Sequence, residues 1–322
     1  MLDISCALPP TPATPDLVRY AEDLGYRRAW IYDTPPLQLD VWMTLALAAD
    51  RTERIGIGPG VLVPSNRHAL TTASAIAHLE SLAAGRTAYA FGTGFTARHA
   101  LGQPPLKWAD VADHVRTIAA LLRGETVEID GASVAMLHGR AQAPERPIEP
   151  PFLIGTSGPK GEAVARQLGA GVISSSPVAE FGWSVWLTFG TVLGDAERPD
   201  DERVIRSAGP GAAIAYHSAY QRRRPAFDTL PGSAAWRESI EAIDPSARHL
   251  ETHRGHLTEL NRHDRAVMTG SIAAEVSRSG TAAHWRDRLA AAAEAGATEV
   301  AFQPAGDDLR RELRAFIGAA RG

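Results

Sequence analysis

The chain has 322 residues, 44% of them hydrophobic and 22% charged, with a formal net charge of -4. That is ordinary for a soluble globular protein, long enough to bury a sizeable core, and it lacks the basic footprint that nucleic-acid binding requires. The single cysteine, Cys6, excludes an intrachain disulfide framework and fits a reducing cytoplasm. No apolar run approaches membrane-spanning length, and the opening MLDISCALPPTPATPD has no basic region followed by an apolar one. Neither a membrane span nor a signal peptide is expected.

In chain order the pattern alternates. Residues 2–8 read as a short apolar strand, and Thr14 and Asp16 open a helix capped at Gly25. Strands are expected at 28–32, 54–63 and 87–91, with helices at 40–51, 68–84 and 108–122 between and after them. Asp130-Gly131 favours a primed turn, so 126–137 reads as a β-hairpin. A strand at 151–154, a helix at 159–168 and a strand at 171–174 follow. The aromatic stretch 181–192 reads as helical and 211–216 as a seventh strand. Residues 217–280 are mostly polar and helical; a helix at 281–296, a strand at 299–302 and a helix at 307–320 close the chain. Eight strands with helical crossovers, excluding the hairpin, predict an α/β fold: a (β/α)8 barrel over one domain, 1–322. The insertion 217–280 follows the seventh strand and belongs to the catalytic face, where a loop of that length reads as a lid or pocket wall.

Several residues invite chemistry. Gly155, Thr156, Ser157, Gly158, Pro159 and Lys160 follow a strand and enter a helix, with Pro159 suited to the first turn. Backbone N–H groups, the helix dipole and Lys160 would together face an anion there. Lysine occurs only at 107 and 160, an arginine bias that reads first as a GC-rich genome. The loose GxGxxA at 92–97 is a weak dinucleotide signal, because Gly102 and Pro104-Pro105 interrupt the helix it needs. Asp33 lies just past the second strand, placed either to meet a ligand or to cap an Asx turn before Pro35 and Pro36. His249, His253 and His256 have i, i+4, i+7 spacing; Gly255 weakens that helix and no cysteine assists, so pocket histidines are expected rather than a metal.

Five blocks together resemble the luciferase-like superfamily, on the branch of the coenzyme F420-dependent methylenetetrahydromethanopterin reductases. They are AEDLGYRRAWIYD (21–33), RIGIGPGVLVPSNRHAL (54–70), HLESLAAGRTAYAFGTG (78–94), FLIGTSGPKGEAVARQLGAGVI (152–173) and GTAAHWRDRLAAAAEAGATEVAFQPAG (280–306). The resemblance implies a non-proline cis peptide at Gly60-Val61 backing a flavin-like ring over the strand ends. It puts Asp33 near the ring's polar edge, Thr93 and Gly94 beside the tricycle, the 155–160 turn on the cofactor phosphate, and Ser174, Ser175 and Ser176 near its tail. Departures are Thr34 where many relatives have histidine, Phe95 where one branch carries a glutamate acid, Arg98 near the family's asparagine, and Val63-Pro64-Ser65 in place of Asn-Pro-Tyr.

The expected function is a cytoplasmic oxidoreductase passing a hydride between a deazaflavin (coenzyme F420) and a small organic substrate, with Asp33 and His99 as catalytic candidates. An FMN-dependent monooxygenase using reduced flavin and oxygen is the alternative, and a non-catalytic barrel subunit the second. Self-association is expected, as in many such barrels.

Overall fold

The computed structural model describes residues 2–139, 141–270, 272 and 279–322. Its strands are β1 (Asp3–Leu8), β2 (Arg28–Ile31), β3 (Gly56–Pro59), β4 (Tyr89–Gly92), β5 (Val127–Ile129), β6 (Ala132–Val134), β7 (Phe152–Gly155), β8 (Gly171–Ser174), β9 (Ser184–Phe189) and β10 (Glu299–Gln303). Its α-helices are α1 (Thr14–Leu24), α2 (Val41–Arg51), α3 (Ala69–Leu82), α4 (Phe95–His99), α5 (Trp108–Arg123), α6 (Pro159–Leu168), α7 (Glu202–Gln221), α8 (Ser233–Glu241), α9 (Arg248–His253), α10 (Arg262–Val267), α11 (Ala282–Glu294) and α12 (Leu309–Arg321).

Eight strands form one parallel sheet in the order β3-β2-β1-β10-β9-β8-β7-β4. Parallel bridges Ile57–Thr87 and Leu62–Phe91 join its two edge strands and close the barrel. The hairpin β5-β6 stands outside it, as Asp130-Gly131 predicts. Strands buried on both faces are mainly apolar, and β2, β3, β4 and β10 are buried at every position, with Arg28, Glu299 and Gln303 as polar residues at strand ends. Small residues Ala7, Ala88, Ala90 and Ala301 line the interior and leave room for Trp30, which is fully buried. At the N-terminal end of the barrel, Glu299 accepts hydrogen bonds from the indoles of Trp30 and Trp183, both at 2.9 Å.

Two elements differ from expectation. The seventh barrel strand is β9, not 211–216. Its Val185–Phe189 stretch is β-branched and aromatic, the composition that suits a pleated, buried surface, and it pairs with β8 and β10. Residues 211–216 lie inside α7, where Val204, Ala208, Ala212 and Tyr216 recur every four residues on its buried side. The Gly209-Pro210-Gly211 run that suggests a break serves close packing. A Cβ on Gly211 would lie 2.2 Å from the Phe189 ring, and one on Gly209 2.8 Å from Leu260. The insertion therefore begins just after β9, ahead of residue 217, and its described part is helical with its own apolar core around Tyr216, Phe227 and Trp236. Residues 271 and 273–278, near its end, lie outside the described residues. Among the described residues no helix is long and apolar enough to cross a membrane.

The outer layer carries a pH dependence. His114 on α5 meets the Phe91 ring edge-on, with centroids 6.3 Å apart. Burial, aided by His68, pushes its pKa from 6.5 down to about 4. Between those values the unfolded chain holds a proton that the folded chain refuses, so stability falls as pH drops through this window. His114→Gln is expected to flatten the thermal-stability profile from pH 6.5 to 4, an effect of roughly 2 kcal/mol once its partial exposure is discounted. Parallel wild-type and mutant profiles would remove His114 from the account.

Candidate functional site

The C-terminal ends of the strands gather the predicted residues. The Gly60-Val61 peptide is cis. Gly60 N–H donates to Ile31 at 2.8 Å and Leu62 N–H to Ala90 at 2.7 Å, so the bulge is held between β2 and β4. Val61 then turns its side chain across the barrel mouth. A Cβ on Gly92 would lie 2.8 Å from Val61 Cγ2, and one on Gly155 2.8 Å from Val61 Cγ1. These strand-end glycines make room for a protein side chain. Gly94 has φ +75° and caps α4, and a Cβ there would meet Val63 Cγ1 at 2.5 Å.

Asp33 is buried at 7% exposure. Its Oδ2 accepts from Val63 N–H at 3.2 Å and from Asn66 Nδ2 at 3.1 Å. It ties the end of β2 to the bulge, which the Asx-turn reading does not describe. Burial raises its pKa above the usual carboxylate value, opposed by these two hydrogen bonds and by Arg67. Asn66 was not singled out from sequence, although it sits in the Pro-Ser-Asn turn that departs from the family pattern.

The 155–160 turn forms as expected. Gly158 caps α6 with Pro159 in the first turn. Thr156 Oγ1 donates to Gly158 O at 2.9 Å and accepts from Gly158 N–H at 3.2 Å, fixing the loop. Gly161 lets the helix approach, since a Cβ would lie 2.3 Å from Thr156 Oγ1. Ser157, Gly158, Ser174, Ser175 and Ser176 line one pocket of about 390 Å³, shared with the carboxylates Glu162 and Glu180 and with Arg166, which lies in ion-pair range of both. Lys160, in the first turn of α6, is exposed, with no carboxylate in ion-pair range among the described residues.

Thr93 accepts Leu106 N–H through its carbonyl at 2.9 Å, and α4 follows at once. His99 ends α4 with its ring 4.7 Å from Phe95 and parallel to His253 at 6.2 Å. Burial, then the charge of Arg222, lowers its pKa, which favours a neutral imidazole. Arg222 itself lies 4.7 Å over the Phe95 ring. The insertion thus reaches down onto the loop after β4. Its histidines group differently from the predicted spacing. Gly255 at φ +68° breaks the run, His249 lies against Gly102, and His217 of α7 joins His253 and His256 instead. A helical reading of 208–219 would have put His217 in view. Burial holds His253 down at about 3 and His256 well below its ordinary value.

The family model for luciferase-like monooxygenases matches residues 7–299. The chain belongs to this family. Among curated relatives, 5,10-methylenetetrahydromethanopterin reductase of Archaeoglobus fulgidus is 32% identical over 160 residues, 48% of this chain and 47% of that protein. F420-dependent hydroxymycolic acid dehydrogenase of Mycobacterium tuberculosis is 29% identical over 173 residues, 48% and 47% of the two chains. The chain spans about half the length of the curated relatives it matches. Two solved structures share the family fold over nearly the whole chain. The coenzyme F420 dependent tetrahydromethanopterin reductase of Methanopyrus kandleri gives a TM-score of 0.65 at 20% identity, covering 98% of this chain and 97% of that one. The oxygenating constituent of 3,6-diketocamphane monooxygenase of Pseudomonas putida, in complex with FMN, gives 0.59 at 11% identity, covering 99% and 96%.

Proposed function

We propose that this chain is an oxidoreductase that takes a deazaflavin, coenzyme F420, at the C-terminal face of its barrel and acts on a small organic substrate. One observation carries the reading: the bulge at Gly60-Val61, the buried Asp33 and the 155–160 turn all sit at the same end of one barrel. The residues present fit such a group. Ser157, Gly158, Lys160 and Ser174–Ser176 would hold its phosphate and acidic tail, and Val61, Thr93 and Gly94 would flank its ring. When bound, the cofactor supplies two-electron hydride chemistry, while the protein orients the partners and excludes water. Asp33 fixes the bulge and offers a carboxylate beside it, and His99 offers a neutral imidazole on the far loop. An apolar pocket of about 760 Å³ at the rim, lined by Pro9, Pro35, Leu37, Leu39 and Pro304, suits a substrate with an apolar body. The curated relatives named for F420 or for a pterin reductase favour the deazaflavin over FMN.

A side-by-side binding titration with coenzyme F420 and FMN tests the reading. The expected result is tighter deazaflavin binding. Lys160→Ala is expected to weaken it about tenfold at low salt and less at high salt, because an exposed charge is screened. Tighter FMN binding would move the chain to the oxygen-using monooxygenases. Failure to bind either would leave a non-catalytic barrel.

A further inference from the structure

Three histidines from separate parts of the insertion meet around one point: His217 on α7, His253 at the end of α9, and His256 in the turn beyond. Their exposures are 1%, 0% and 3%. One ring nitrogen from each lies within 4.8 Å of the other two. Their Nε2 atoms all point outward to partners. His217 Nε2 meets Asp264 Oδ1 at 2.9 Å, His256 Nε2 meets Thr96 Oγ1 at 3.3 Å, and His253 Nε2 meets the Gln221 amide. Asp264 Oδ1 is fixed in turn by Trp236 Nε1 at 2.8 Å. That leaves three Nδ1 atoms. Those of His217 and His256 face each other at 2.9 Å, and that of His253 is buried with no hydrogen-bond partner.

A shared proton between His217 and His256 explains the first contact. It does nothing for His253 Nδ1, and an orphaned buried polar atom is costly. A cation at the centre serves all three lone pairs. Imidazole nitrogens sit 2.0–2.1 Å from zinc, which places neighbouring ligand atoms about 3.3 Å apart in a tetrahedron. Histidine ligands also need the second ring nitrogen held by a carboxylate, hydroxyl or carbonyl, which fixes tautomer and orientation. Asp264 and Thr96 occupy two of those places. The third is filled when the Gln221 amide, whose nitrogen faces His253 Nε2 and whose oxygen is buried without a partner, turns that oxygen to accept from His253 Nε2 and so frees the Nδ1 lone pair.

We propose that His217, His253 and His256 bind a divalent transition metal of the zinc class through their Nδ1 atoms. No fourth side chain joins the group among the described residues, so water takes the remaining position. The ion pins α7 and α9 against the loop after β4, where Thr96 touches His256 and the His99 ring lies parallel to His253. It thereby sets the height of the insertion over the barrel mouth.

The test uses the full chain, prepared without a histidine tag or chelator. Its metal content is measured, and the protein is then stripped and titrated with zinc and with cobalt. The expected result is one equivalent per chain and a visible absorption band of tetrahedral cobalt. His217→Ala, His253→Ala and His256→Ala should each weaken cobalt binding at least about a hundredfold, and Asp264→Asn ten- to a hundredfold. His249→Ala, outside the cluster, should leave it unchanged. Stripped wild-type protein that keeps its circular dichroism yet takes up no cobalt overturns the proposal, as does uptake unaltered in a folded His253→Ala protein. Should the alanine variants not fold, the wild-type titration decides. No deazaflavin or substrate enters any arm, so this result stands apart from the proposed function.

Discussion

Gly155→Ala is expected to destabilise the chain by about 2 kcal/mol and to weaken cofactor binding by roughly a hundredfold, with Val61→Ala restoring most of both. A Cβ at 155 would lie 2.8 Å from Val61 Cγ1, closer than two carbons pack. Valine has little freedom to yield, since branching at Cβ restricts its one rotatable bond. A Cβ on Gly92 would lie as close to the other methyl, so Val61 is seated between the two glycines with little room on either side. The overload must pass into the Gly60-Val61 backbone, the wall proposed to back the ring. Binding should therefore suffer more than stability. Gly92→Ala should behave alike, again rescued by Val61→Ala. Unchanged binding in a folded Gly155→Ala protein would mean that the bulge does not shape the cofactor site. A loss that Val61→Ala leaves in place would mean that Gly155 meets the ligand itself.

The wedge shows what sequence does and does not carry. The eightfold alternation and the caps at Gly25 and Gly124 were legible because helix ends and turns depend on local residue types. The strand at β9 was missed because its aromatics, Trp186 and Phe189, suit a buried helix as well as a buried strand, and only pairing with β8 and β10 decides. Residues 211–216 went the other way. They were read as a strand, but they lie in α7, where Gly209 and Gly211 let the helix pack against Leu260 and Phe189. At the site, the 155–160 turn could be read because its donors are consecutive. The contact between Val61 and two glycines joins residues 31 and 94 positions apart, and the His217 cluster spans the insertion. Such contacts have no local signature.

Asp33 is where stability and function pull in opposite directions, and two substitutions separate them. Burial raises its pKa, so the folded chain holds the Asp33 proton more tightly than the unfolded chain does. The sign follows. Protonated Asp33 adds stability at low pH, and that contribution is lost as pH rises through the raised value, leaving a desolvation cost at neutral pH. Asp33→Asn keeps an oxygen for Val63 N–H and Asn66 and carries no charge to desolvate. It is expected to be at least as stable as wild type at pH 7 and to lose any acid-limb dependence that Asp33 gives to turnover. Asp33→Ala leaves two donors unpaired beside the bulge and is expected to cost about 2 kcal/mol. On turnover both variants should fall by about a hundredfold or more if the carboxylate takes part in proton transfer. Thermal unfolding across pH, run beside cofactor titration on the same three proteins, checks each part. If Asp33→Asn lost stability at neutral pH as Asp33→Ala does, the carboxylate would be ionised and stabilising in place, and its burial would have to be offset by a charge such as Arg67. If Asp33→Asn turned over at the wild-type rate, Asp33 would be a strut for the bulge and the proton would move elsewhere, with the neutral His99 ring the next group to replace.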